Sequence, residues 1–130
     1  MIQQFLVTLF SFLIIDGLWL TVIAKDFYAK YLGFLMSKTP NLFAAILFYL
    51  IYVITMVVLI ISPAVQKGSL QSAILTGALF GLCAYATYDL TNLATIKNWP
   101  VLVTIVDLIW GTFLSGTVAG ISYWIITKWF

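Results

Sequence analysis

The chain has 130 residues, 64% of them hydrophobic and 8% charged, with a formal net charge of +2. Soluble domains are about 45–50% apolar and about 25% charged, so a water-exposed fold is excluded and residues 1–130 read as one integral membrane domain. Six lysines and four aspartates stand with no arginine, glutamate or histidine and a single cysteine; this excludes a histidine metal site, a histidine general base and an internal disulfide, and so small a charge leaves no footprint for nucleic acid.

A span needs about 20 mainly apolar residues. Four segments qualify, at about 5–23, 41–61, 73–94 and 101–126. Backbone groups in hydrocarbon must be satisfied within the segment, so each is predicted to be a helix. The expected architecture is therefore all-α: a four-helix transmembrane bundle with short loops. The first segment has no Lys or Arg before its apolar run and is interrupted by Asp16, so it is expected to stay as a span and not to be cleaved as a signal peptide.

Between the first two segments, residues 24–40 carry Lys25, Asp26, Lys30, Lys38 and Pro40, but also Phe27, Tyr28, Tyr31, Leu32, Phe34 and Leu35. That mixture predicts a segment lying along the membrane interface. The next breaks fall at 62–72, with Pro63, Lys67 and Gly68, and at 95–100, with Lys97, Asn98, Trp99 and Pro100. Pro100 suits a helix start, where its missing N–H costs nothing. Trp99, Trp124, Trp129, Tyr28 and Tyr31 read as interface anchors, and Cys83 as an inert buried thiol. Lys25, Lys30, Lys38 and Lys97 lie on one side and Lys67 and Lys128 on the other, which predicts cytoplasmic first and third loops and periplasmic termini.

Asp16, Asp89 and Asp107 fall inside predicted spans. Ionisable residues there are costly and usually face a bundle interior or a cavity. At 1.5 Å rise per residue, all three lie roughly 10–15 Å from the face that carries the first and third loops. Burial and like charge both disfavour three bare carboxylates at one height, so protons, a cation or water must join them. Trp19 follows Asp16 by three residues and Trp110 follows Asp107 likewise, on the same helix face as each acid. The strings Asp16-Gly-Leu-Trp-Leu-Thr and Asp107-Leu-Ile-Trp-Gly-Thr echo one another. Tyr85, Asp89 and Asn92 make a single stripe, flanked by Tyr88. Tyr49 and Tyr52 sit at the matching depth of the second segment. Toward the other leaflet, Gly77-x-x-x-Gly81 and Gly116-x-x-x-Gly120 let helix backbones approach closely, so the third and fourth helices are expected to be clamped there and spread at the acid end.

The string Ala84-Tyr-Ala-Thr-Tyr-Asp-Leu-Thr-Asn-Leu-Ala-Thr95, with Asp16-x-x-Trp19-Leu20, Phe48-Tyr-Leu-Ile-Tyr52, Pro63 and Asp107-x-x-Trp110-Gly111, resembles the bacterial membrane-protein family called domain of unknown function 2177. The resemblance covers nearly the whole chain. It implies a small bacterial inner-membrane protein and supplies no activity.

The residues point first to a ligand or ion site, as in a transporter or channel subunit. Asp16, Asp89 and Asp107 would bind a proton, metal cation or organic cation, Tyr85, Tyr88 and Asn92 would orient them, and Trp19 and Trp110 would wall the pocket, since aromatic faces attract cations by about 0.5–2 kcal/mol. A second reading is a catalytic or accessory part in lipid modification, with two carboxyls acting as acid and base. No nucleophile–base pair, phosphate loop or evident cofactor site supports it, so the balance is against an enzyme. A third is structural: intramembrane polar groups hydrogen-bond helices together at about 0.6–2 kcal/mol each, as in a partner subunit. The lipid bilayer is the expected partner in every case. Four helices enclose a small site, and a wider pore would require a homo-oligomer.

Overall fold

A computed structural model describes all 130 residues. It has four long apolar helices and no strand, as the composition requires. Helix α1 spans Ile2–Ile23, α3 Leu42–Lys67, α4 Leu70–Thr95 and α5 Val101–Trp129. The short helix α2, Lys25–Leu32, follows the first span directly. It presents Phe27, Tyr28, Tyr31 and Leu32 inward and leaves Lys25, Asp26, Ala29 and Lys30 exposed. This is the expected interfacial segment, although it is helical only to Leu32; residues 34–40 are exposed non-helical chain.

Two local features set the helix ends. Asn41 caps α3 by accepting from the Ala44 N–H at 3.1 Å, and Ser69 caps α4 by accepting from the Ser72 N–H at 3.0 Å, each satisfying a first-turn donor. The break expected over 62–72 shrinks to Gly68 and Ser69. Pro63 does not stop α3, because the turn before it, Val57–Ile61, is π-helical. That wider turn relieves the clash between a proline ring and the carbonyl four residues earlier. Gly68 reverses the chain at φ 66°, in the left-handed region open to glycine. A second π-helical turn, Trp19–Ile23, ends α1, and the Ala24 N–H donates to the Trp19 carbonyl at 2.7 Å. Ala24 is buried, so the chain bends into α2 at a packed point.

Helix α5 is the central helix: half of its apolar window is buried, against 17% for α1 and α4. It packs along α4 on one side and α1 on the other, while α3 packs on α1. The core lies in the half of the bundle away from α2 and joins Phe12 to Val53, Met56, Ile61, Leu114 and Val118. On the α4–α5 seam, Gly77 faces Ala119, Ser115 and Gly116, and Gly81 faces the Gly111 carbonyl and Ser115, with no room for a Cβ. The clamp expected from the glycine pairs is present. It also runs further than expected: Gly111, at the acid end, lies directly under the Tyr85 ring. The large side chains there do not spread α4 from α5. The seam that opens lies between α3 and α4, which meet near the Gly68 turn and the π turn of α3 and then diverge.

Candidate functional site

Asp16 and Asp107 come from α1 and α5, which run antiparallel, and both are buried. Each finds donors on another helix. Asp16 accepts from Trp110 Nε1 at 3.3 Å on one oxygen and from the Tyr49 hydroxyl at 3.1 Å on the other. Asp107 accepts from the Tyr28 hydroxyl, which in turn accepts from Trp19 Nε1 at 3.1 Å. The echo between Asp16-x-x-Trp19 and Asp107-x-x-Trp110 thus becomes an unequal exchange: Trp110 bonds the aspartate of the other motif directly, and Trp19 is linked to Asp107 only through the Tyr28 hydroxyl. The two indoles stack at 4.3 Å between centroids and 9° between planes. Linked hydrogen bonds of this kind, shielded from bulk water, fix the geometry of the side chains they join.

Asp89 is fully buried, and neither of its oxygens has an N–H or hydroxyl donor. Asp107 is the acid that stands beside it, and two carboxyls side by side out of water disfavour a second charge. The three acids therefore do not close on one point. Asp89 and Asp107 form a pair, Asp16 stands apart, and no three acid side chains gather closely enough to hold a metal ion.

The acids border a cavity of about 520 Å³ lined by Asp16, Leu20, Lys25, Tyr28, Leu32, Met36, Phe48, Tyr49, Tyr85, Tyr88, Asp107 and Trp110. This is within the roughly 300–1,000 Å³ range of small-molecule sites. Of the residues singled out in the sequence, Asp16, Tyr85, Tyr88, Asp107 and Trp110 line it. Trp19 stands behind Trp110, and Asp89 stands behind Asp107. Asn92 lies beside the Tyr88 hydroxyl, outside the lining.

Sequence reasoning missed Tyr28 and Lys25. Tyr28, read as an interface anchor, turns inward to Asp107, and burial together with that carboxyl pushes its phenol above the ordinary value. Lys25 was read as a loop charge. The available signal was the short distance from Asp16 to the first loop, which lets α2 fold back over the acids. Trp99 is also buried: it donates to the Thr104 hydroxyl at 3.0 Å and meets Tyr88 edge-on. Trp124 and Trp129 are exposed, with the Lys128 ammonium over both rings, as interface anchors should be. Cys83 is exposed on the outer face of α4, not buried.

Fold and site together define a multi-pass membrane protein with a cavity lined by aspartates from two helices. The family model described as "Predicted membrane protein (DUF2177)" matches residues 1–124, and the chain belongs to that family. No curated protein and no solved structure matches the chain.

Proposed function

We propose that this protein binds an organic ammonium ion in the cavity between Asp16 and Asp107, as the ligand-binding part of a small transporter or carrier. The observation that carries this reading is the pairing of two carboxyls from opposite helices with an aromatic wall of Tyr28, Tyr49, Tyr85, Tyr88 and Trp110 in one cavity. Aromatic faces and carboxyls together suit a desolvated ammonium. The volume is more than a bare proton or inorganic ion requires, and the separation of Asp16 from the Asp89–Asp107 pair does not favour a metal cation. The reading places the chain in a bacterial inner membrane, with the lysine-rich first and third loops cytoplasmic and the termini periplasmic.

The test is titration of the purified protein in nanodiscs with tetramethylammonium, followed by tryptophan fluorescence from Trp19 and Trp110. A saturable change lost in the Asp16→Asn/Asp107→Asn double variant supports the site. No saturable change, or the same change in the double variant, overturns it. A structural reading has one observation of its own, since both Asp16 oxygens already have protein donors. It predicts that the double variant loses stability while ammonium has no effect on either protein.

A further inference from the structure

The acid cavity has an apolar neighbour on the far side of its aromatic wall. A second cavity of about 460 Å³ is lined by Phe48, Tyr52, Ala84, Tyr85 and Tyr88. Phe48, Tyr85 and Tyr88 line both cavities, so the two share a wall of three side chains. The second cavity occupies the opening between α3 and α4. These helices touch ring to ring where Tyr52 meets Phe80 at 4.9 Å, and beyond that point toward α2 they part. The opening stands within the apolar length of both spans, where the surroundings are hydrocarbon. Its surface is almost wholly apolar; the Tyr52 hydroxyl is already bonded to Ser115 Oγ at 2.6 Å.

Lys25 adds a second element. It lines the acid cavity from the first turn of α2, at the membrane face. One site therefore presents carboxyls at depth, an ammonium at the rim and an apolar slot leading sideways into the bilayer. A soluble ammonium ion uses the first of these and leaves the other two unexplained.

We propose that the ligand is a membrane phospholipid with an ammonium head group, entering from the bilayer between α3 and α4. This rests on the ammonium reading and specifies its substrate class. The head-group ammonium meets Asp16 and Asp107, the phosphate meets Lys25 at the rim, and one acyl chain lies in the slot beside Ala84. Entry from the side suits a slot whose walls are as apolar as the lipid it opens to, because an acyl chain passes from bilayer to slot without crossing water.

Native mass spectrometry of the full chain released from detergent tests this with three probes. Lysophosphatidylethanolamine carries head and chain, glycerophosphoethanolamine carries the head alone, and lysophosphatidic acid carries chain and phosphate without the ammonium. The expected result is lysophosphatidylethanolamine bound at least about tenfold more tightly than either of the others. Ala84→Phe fills the slot without touching the acid cavity, and is expected to abolish the preference for the chain-bearing probe while binding of the head alone persists. Equal binding of the head alone and of the lipid overturns the lipid and leaves the ammonium reading standing, as does a preference unchanged by Ala84→Phe. Equal binding of lysophosphatidic acid overturns recognition through the acids. The probe series is read on the unsubstituted protein, so the test stands even where Ala84→Phe does not fold. Binding of none of the ammonium probes, together with no response to tetramethylammonium, removes both proposals.

Discussion

The α4–α5 seam and the α3–α4 seam are built from the same lipid-soluble material and behave oppositely. Along the first, Gly77, Gly81 and Gly111 bring the helices together until a Cβ would collide with the facing helix, and at Gly116 it would be tight. Along the second, Tyr52 meets Phe80 ring to ring, and beyond that contact the helices part around a cavity lined by Phe48, Tyr85 and Tyr88. Apolarity does not distinguish the two, because lipid tails are as apolar as leucine and give no hydrophobic drive between helices. Close approach does. Small residues gain dispersion and packing that lipid cannot match, whereas bulky rings hold helices at a distance where a lipid chain competes on equal terms.

The largest expected effect comes from breaking the closed seam. Gly81→Leu places a side chain against the Gly111 carbonyl and Ser115, and should cost roughly 3 kcal/mol, the upper range for overpacking. Thermal unfolding in detergent measures it, and a variant as stable as the parent would mean that the seam is not what holds the bundle. A smaller effect belongs to the acid pair beside the seam. Asp89→Ala removes the buried neighbour of Asp107 and should cost about 2 kcal/mol, while Asp89→Asn, which keeps the volume and offers Asp107 an amide donor, should cost under about 1 kcal/mol. A loss in Asp89→Asn as large as in Asp89→Ala would show that the amide does not replace the carboxyl beside Asp107.

The smallest effect lies at the rim of the open side. Tyr28→Phe removes the donor to Asp107 and the acceptor for Trp19, and should cost about 1 kcal/mol while speeding amide exchange across Lys25–Leu32. It should also change the alkaline limb of stability. The folded-state phenol titrates above its ordinary value of 10.0, so its contribution is intact below pH 10 and falls as pH rises beyond, because the unfolded chain releases that proton first. Tyr28→Phe should remove this part of the slope. An unchanged exchange rate would show that α2 is held by its apolar face alone.

The spans, the interfacial segment and the depth of the acids were legible because each follows from one-dimensional facts: run length, the rise of a helix, and the cost of charge in hydrocarbon. The glycine clamp was legible for the same reason. The exchange between the two Asp-x-x-Trp motifs was visible as an echo but had no meaning until α1 and α5 lay antiparallel, where the two indoles stack, Trp110 reaches Asp16 and Trp19 reaches Asp107 by way of Tyr28. Pro63 was read as a break because the sequence does not announce the π turn that accommodates it. Tyr28 and Trp99 were read as surface residues because residue type and position near a boundary favour an anchor, whereas chain direction after Ala24 and before Val101 turns them inward; Lys25 stays exposed, and only its place on the rim of the cavity was missed.

By itself, then, the amino-acid order determined that this chain forms four helices long and apolar enough to cross a bilayer, with three acids inside them, since hydrophobic length and the electrostatics of burial act on each segment separately. Tertiary structure alone decided that two of those acids pair while the third stands across a cavity, and that the bundle opens between α3 and α4, because both depend on which helix faces which, a matter of side-chain size at contacts between residues far apart in the chain.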